Sequence, residues 1–102
     1  MFVMLSPNGK GALAEIAIGK EALALGLGVY WPVSQHSRCD LVLEVTHGLL
    51  KVQCKWASLG EGVVKINLRT SRHTAGDGYV RTRYSAEEVD AIAAYCGDLD
   101  RC

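Results

Sequence analysis

Apolar and polar residues alternate through RCDLVLEVTHGLLKVQCKW, residues Arg38–Trp56, on both sides of His47-Gly48. This alternation is typical of two β-strands, and the His-Gly pair between them predicts a tight turn. An antiparallel pairing about that turn makes one face of the hairpin wholly apolar, with Leu41 opposite Cys54. Burial of this face is expected to fix which residues face the core.

The other face of this hairpin collects polar residues with a chemical use. The predicted register places Asp40 opposite Lys55, with Gln53 diagonal to Asp40 and within side-chain reach. A carboxylate and an amide oxygen can hold a hard divalent cation such as Mg²⁺. A neighbouring lysine can orient water or stabilise charge on a phosphate. The alternative is a charged strand pair on a solvated sheet face, and the hairpin alone leaves both interpretations open.

Length and composition indicate a single globular domain over residues 1–102. The 102 residues suffice for a core, although they lie near the lower end of comfortable domain size. Hydrophobic residues make up 49% and charged residues 22%, which excludes an intrinsically disordered chain. The four cysteines show no zinc-type spacing, so Cys54 is interpreted as a core residue. With no evident signal peptide or membrane-spanning run, we expect a cytoplasmic protein.

Charge is unevenly distributed, although the formal net charge is zero. Residues 65–83 carry five basic residues and only Asp77 as an acidic one, whereas residues 84–102 are mainly acidic. A basic segment in a neutral protein predicts a local anion-binding surface. We interpret residues 71–83 as a mobile loop that contacts a nucleic-acid backbone, the alternative being a solvated surface loop. The basic residues are Lys65, Arg69, Arg72, Arg81 and Arg83.

A helix is predicted over Lys10–Leu25, which is rich in alanine and leucine. Asn8 is the expected N-cap, and Gly26 or Gly28 is the expected left-handed residue at the other end. A short strand is expected over Val29–Trp31, where the next residue is a proline. The helix therefore precedes the first strand of the sheet.

Glu15 is an unusual residue for the surface of this helix. No cation lies three or four residues away, where the neighbours are Gly11, Ala12, Ile18, Gly19 and Ala22. A carboxylate among small and apolar residues is expected to pack toward the sheet with a partner, or to lie at a crowded edge. The alternative is a tolerated surface glutamate.

Two further strands are predicted after the hairpin. One spans Val63–Thr70, with a core face at every second residue of Val64–Leu68. The other runs through Cys96 after one helical turn at residues 86–89, which a capping-box pattern introduces.

Four motifs follow one another along the chain: G-x-L-A-E at Gly11–Glu15, R-C-D-L-V at Arg38–Val42, V-Q-C-K at Val52–Lys55 and S-A-E-E-V-D-A-I-A-A-Y-C at Ser85–Cys96. Together they resemble the PD-(D/E)XK nuclease superfamily. Within it they are most similar to small enzymes like archaeal Holliday-junction resolvases and to group I intron homing endonucleases of this fold. The resemblance covers most of residues 9–102. It implies an α/β fold with a restriction-endonuclease-like core, in which an N-terminal helix precedes a mixed central β-sheet carrying a catalytic β-hairpin.

The resemblance also implies roles for single residues. Asp40 matches the metal-binding aspartate, Gln53 the second acidic position and Lys55 the motif lysine. Glu15 matches the helix carboxylate that lines the same site, which implies Mg²⁺ or Mn²⁺ as the cofactor. There are two departures from the pattern. Gln53 removes one negative charge from the metal site, and Cys39 stands where the family has a proline that is not a ligand.

The sequence thus predicts a Mg²⁺-dependent DNA endonuclease that hydrolyses phosphodiester bonds. A homodimer or a higher even-numbered assembly is expected, because cutting both strands takes two symmetry-related sites. The alternative is a catalytically silent module with the same fold that binds nucleic acid or protein. The neutral Gln53 favours that alternative, as does the end of the chain at Cys102, where relatives continue into another strand. The chain is therefore expected to be truncated at its C-terminus.

Overall fold

The structure, a computed structural model, describes residues 6–34, 37–67, 69–74, 78–83 and 89–102, of which 69–74 and 78–83 are described by their backbone. Within these residues one helix precedes all the strands, as predicted. The elements are α1 (Pro7–Ala24), β1 (Gly28–Tyr30), β2 (Leu41–Val45), β3 (Gly48–Gly60), β4 (Val63–Lys65), β5 (Arg69–Thr74), β6 (Gly78–Arg83) and β7 (Ala91–Cys96). In the described part of the chain no helix combines the length and apolar character needed to cross a membrane.

The N-cap of α1 is Ser6, so the prediction of Asn8 is wrong. The Gly9 amide donates a hydrogen bond to Ser6 Oγ at 3.1 Å. Pro7 occupies the first turn of the helix, where its missing N–H leaves no hydrogen bond unmade. At the other end Gly26 has a φ of +84°, which confirms it as the left-handed residue that ends the helix.

The core lies between α1 and one face of the sheet. Ala14, Ile18 and Ala22 are buried at intervals of four residues, so they share one side of the helix. Ile18 packs into a cluster with Leu41, which is 0% exposed, and Val52, which is 2% exposed. The helix and the central hairpin are therefore held together by burial of apolar side chains.

Strand β3 lies at the centre of the sheet. It pairs antiparallel with β2 on one side and parallel with β7 on the other, and β1 pairs antiparallel with β2. Beyond Ala57 it continues outward and pairs with β4 through Ser58–Gly60. The sheet is therefore mixed, as the sequence predicts.

The β2–β3 hairpin forms as predicted but in another register. Leu41 pairs with Val52, two positions away from the predicted partner. The turn residues are Thr46 and His47, and Gly48 already belongs to β3. Since side chains alternate between faces, a shift of two positions leaves each residue on its predicted face. The predicted apolar face is therefore confirmed, whereas the predicted register is wrong.

The strand predicted over Val63–Thr70 is shorter in the structure. Strand β4 ends at Lys65, and Val64 and Ile66 are 45% and 40% exposed. The predicted core face is therefore wrong at these two positions, because no described element covers them. Leu68, the third residue of that face, lies outside the described residues.

The predicted loop over residues 71–83 is wrong for residues 71–74 and 78–83, which are strands, whereas residues 75–77 lie outside the described residues. Strands β5 and β6 pair antiparallel, with Arg69 opposite Arg83 and Thr74 opposite Gly78. The ladder is made by backbone groups, so it does not require the apolar alternation on which the prediction depended. The helical turn predicted at residues 86–89 falls largely outside the described residues, whereas the strand through Cys96 is confirmed by β7.

Candidate active site

Asp40 lies at the open end of the hairpin, immediately before β2. Its amide donates to the Val52 carbonyl at 2.8 Å, and the Cys54 amide donates to Asp40 Oδ2 at 2.8 Å. Burial raises the pKa of Asp40, while the hydrogen bond from Cys54 and the positive charge of Lys55 act in the opposite direction. The carboxylate is therefore held in place against β3 in partly desolvated surroundings.

Gln53 lies between the two β3 residues that Asp40 contacts. It is 8% exposed, and its Oε1 atom is buried without a hydrogen-bond partner among the described residues. An amide oxygen that loses water and gains no partner costs about 1–3 kcal/mol. A cation satisfies such an oxygen, so this side chain fits the ligand set of a hard metal ion.

Glu15 reaches the same region from α1, where it is half-buried. Burial raises the pKa of Glu15, and the negative charge of Asp40 raises it further. The two carboxylates are therefore close enough for their charges to interact. Glu15 is a partly desolvated group at the helix–sheet boundary rather than a fully solvated one.

Lys55 is half-buried on β3, two residues beyond Gln53 and on the same face of the strand. Its positive charge acts to lower the pKa of Asp40, against the larger effect of burial, which raises it. The predicted placement of Lys55 directly opposite Asp40 is wrong, because Asp40 contacts Val52 and Cys54 instead. The structure nevertheless brings Lys55 within electrostatic range of the aspartate.

Cys54 lies among these groups as a core residue, which confirms the interpretation from sequence. Burial raises the pKa of its thiol to about 12, and the charges of Asp40 and Glu15 contribute to the increase. The thiol is therefore neutral at physiological pH and is not available as a thiolate ligand. Within the described residues no three His, Cys, Asp or Glu side chains gather around a possible metal position. A cation at this site would depend on two carboxylates and the amide of Gln53.

A cleft of about 290 Å³ opens beside Asp40 and Glu15. Ser37 fixes the loop before Asp40, since its Oγ donates to the Cys39 carbonyl at 3.2 Å and accepts from the Cys39 amide at 3.3 Å. Trp31 and Ser37 were not predicted as site residues, because in the sequence they mark only a strand end and a polar loop. The other residues that line the cleft are Trp31, Pro32, Ser34, Ser37 and Cys39.

A larger groove, of about 470 Å³, lies between α1 and the residues after β7. None of Glu15, Asp40, Gln53 and Lys55 lines it. The larger groove therefore does not contain the candidate site residues. The smaller cleft contains both carboxylates.

The basic residues predicted to contact DNA fall on the strands that follow β3. Lys65 is exposed at the end of β4. Arg69 and Arg72 belong to β5, and Arg81 and Arg83 belong to β6, where the pairing sets Arg69 opposite Arg83. The backbone thus brings the arginines together in one hairpin, separate in sequence from the carboxylates.

Comparison with known proteins relates this chain to a protein family and to solved structures. The family described as PD-(D/E)XK endonuclease matches residues 5–102. The solved structure of a bacterial homing endonuclease, I-Ssp6803I, is similar with a TM-score of 0.78 and 32% sequence identity, over 93% of this chain. This chain spans 65% of the length of that chain, and no curated protein matches it. Because the family match extends from α1 through the hairpin to β7, the chain belongs to the PD-(D/E)XK endonuclease family.

Proposed function

We propose that this protein is a metal-dependent DNA endonuclease that hydrolyses phosphodiester bonds. The observation that carries the proposal is the buried, unpartnered Oε1 of Gln53, which lies on β3 between the two residues that Asp40 contacts. A polar atom that is costly to bury is thus retained on the strand that holds Asp40, whose carboxylate interacts electrostatically with Glu15 and Lys55. This combination has a chemical use at a metal-assisted hydrolytic site and no evident use in packing.

Asp40, Gln53 and Glu15 are the residues that would hold Mg²⁺ or Mn²⁺. Oxygen ligands suit both ions, and a neutral amide beside two carboxylates gives a site of modest negative charge. Desolvation raises the pKa of both carboxyl groups, and the charge of Asp40 raises the pKa of Glu15 further; a cation offsets these costs. When bound, the ion supplies Lewis-acid stabilisation of the phosphate oxygens.

Lys55 contributes the positive charge that the chain itself brings to the reaction. From its position on β3 it orients the attacking water and stabilises the negative charge that develops on the phosphate. The water oxygen forms a new bond to phosphorus and one ester bond breaks, so the products are a phosphate monoester and an alcohol. Asp40 positions the reacting groups, because its Oδ2 is fixed by the Cys54 amide.

Lys65 and the arginines of β5 and β6 bind the DNA backbone in this proposal. Exposed lysine and arginine side chains neutralise phosphates and release condensed counterions, so affinity falls steeply with salt. These contacts position the duplex without reading its sequence.

We further propose a homodimer or a higher even-numbered assembly, in which paired sites cut both strands. The free cysteines Cys39, Cys54, Cys96 and Cys102 suit a reducing, cytoplasmic environment.

A second candidate function is a catalytically silent module that keeps the fold and binds nucleic acid or protein. The observation in its favour is the neutral side chain of Gln53 at a position that the family pattern usually fills with a carboxylate. The two candidates differ in whether DNA is cut, whereas DNA binding is compatible with both.

The test compares the Lys55→Ala and Lys51→Ala proteins on linear, branched and supercoiled DNA with Mg²⁺ or Mn²⁺. Lys51 is a matched control, because it is half-buried on the same strand and the same face as Lys55. We expect Lys55→Ala to lose cleavage by about a hundredfold or more, the range for removing one group that stabilises transition-state charge. Its DNA binding should change little, since one lysine is a small part of a multi-phosphate contact.

The Lys51→Ala protein should cleave at close to the wild-type rate. Cleavage by Lys55→Ala at the wild-type rate would contradict the catalytic assignment. Binding of DNA by the wild-type protein without any cleavage would support the silent module instead.

A further inference from the structure

Trp31 is a large apolar side chain placed at the mouth of the candidate site. It follows β1, is 53% exposed, and lines the same cleft as Asp40 and Glu15. Val33, two residues further on, is 101% exposed. Trp31 thus places a half-exposed indole beside the two carboxylates of the cleft, whereas Val33 is an exposed neighbour that does not line it.

The indole of Trp31 is seated against α1 at Gly19. A Cβ atom at Gly19 would lie 3.3 Å from both Cζ2 and Cη2 of the indole, so the glycine is what allows the ring to approach the helix. Gly19 is four residues after Glu15, which places the two on the same face of α1 one turn apart. One edge of the indole is therefore fixed beside Glu15 while half of the side chain stays open to solvent.

We infer that Trp31 is a substrate-positioning residue, whose exposed indole packs against the nucleotide next to the phosphate held at Asp40. The inference rests on the proposed nuclease function. Aromatic side chains stack on bases with little regard to sequence, and apolar side chains wedge against base steps in the minor groove. A ring held by one edge loses little freedom on contact, so it orients the substrate at low entropic cost.

The first experiment uses Trp31 as its own reporter. The chain contains two tryptophans, so Trp56→Phe leaves Trp31 as the sole indole. Duplex DNA is added in Ca²⁺, and the indole emission is followed together with the anisotropy of a fluorescent label on the DNA. We expect the emission to be quenched over the same DNA concentrations at which the anisotropy rises. Circular dichroism checks that Trp56→Phe leaves the fold intact, because Trp56 packs edge-on against Tyr95 with ring centroids 5.6 Å apart.

The second experiment separates binding from chemistry and does not need the Trp56 background. Trp31→Ala should raise KM for DNA cleavage roughly tenfold, in the range of one lost base–aromatic contact, and leave kcat within about twofold. Trp31→Phe should restore most of the KM. Leu49→Ala is the control, because Leu49 is 60% exposed near the hairpin turn and does not line the cleft. Its KM should match that of the wild-type protein.

The outcomes distinguish the inference from the function on which it rests. A wild-type protein that leaves labelled DNA free in solution overturns the proposed function and the inference together. A protein that binds DNA while the Trp31 emission stays constant, or whose KM is the same with alanine at this position, overturns the inference alone. A change of oligomeric state in Trp31→Ala with an unchanged KM assigns the indole to a contact between protein chains and likewise overturns it.

Discussion

Two segments of strand β3, the inner one at Val52–Ala57 and the outer one at Ser58–Gly60, differ in their surroundings, and the candidate site residues Gln53 and Lys55 lie in the inner one. From Val52 to Ala57 the strand pairs with β7 along its whole length, Val52 and Cys54 also contact β2 and Asp40, and Ile18 of α1 packs on one face. From Ser58 to Gly60 it pairs with β4, and Ser58 and Leu59 are exposed. The inner segment lies where Asp40 is partly desolvated and where the Oε1 atom of Gln53 is buried. The outer segment pairs with β4, which precedes the arginine-bearing strands β5 and β6 in the chain, where DNA binding would require exposed basic side chains.

This difference shows how one strand serves two requirements. A metal site needs polar atoms whose desolvation is partly paid for by the core, whereas a phosphate-binding surface needs exposed charge. The alternation of side chains lets Val52 and Cys54 face the core while Gln53 and Lys55 face the other side. The core and the site are thus built from consecutive residues.

The largest expected effect is loss of core packing at Leu41, the β2 residue that pairs with Val52 at the start of the inner segment of β3. Leu41→Ala should lower the free energy of unfolding by about 2–5 kcal/mol, since Leu41 is 0% exposed and its removal leaves a cavity. Leu49→Ala changes the same residue type on β3 at a site that is 60% exposed, and it should stay within about 0.5 kcal/mol of wild type. Urea denaturation measures both, and equal losses would contradict the comparison.

A smaller effect of opposite sign is expected at Asp40. Its pKa is raised in the fold, so its contribution to stability is present below the unfolded pKa of about 4 and is lost as pH rises through the folded value. Asp40→Asn stays neutral and keeps an acceptor for the Cys54 amide. The variant should therefore be more stable than wild type near pH 8, by less than about 1 kcal/mol because the group is partly solvated.

The gain in stability of Asp40→Asn should disappear below about pH 4, where the wild-type carboxyl is itself neutral. Asp98→Asn, which changes an exposed aspartate after β7, is the matched control for the substitution itself and should change stability by no more than about 0.5 kcal/mol. A less stable Asp40→Asn protein near pH 8 would mean that hydrogen bonding outweighs desolvation at this carboxylate. A gain in stability with a loss of cleavage is the exchange expected at a functional site.

The parts of this fold that burial determines could be predicted from the sequence. The apolar alternation around Leu41 and Val52 gives the hairpin and its inward face, and the alanine-rich segment gives α1. Alternation has a period of two, so it cannot distinguish registers that differ by two positions, and the turn residues were misassigned for that reason. Strand alternation places Asp40, Gln53 and Lys55 on one polar face. The resemblance to a family assigned their roles and added Glu15 to the site.

Elements whose pairing does not depend on burial were not predictable from the same pattern. Strands β5 and β6 are held by backbone hydrogen bonds in a polar segment, and β4 has apolar residues that remain exposed. Trp31 carried no signal, because its place in the cleft depends on a glycine one helix away. Contacts of this kind arise only when distant segments meet.

The proposed metal site depends most directly on whether Gln53 faces the metal. Calorimetric titration with Mn²⁺ in the absence of DNA measures this. Gln53→Glu is nearly isosteric, so it should preserve the fold, and its added charge should tighten binding severalfold over a weak wild-type affinity. Asp40→Asn should abolish the binding heat in either background. Equal Mn²⁺ affinities of the wild-type and Gln53→Glu proteins would contradict the proposed site.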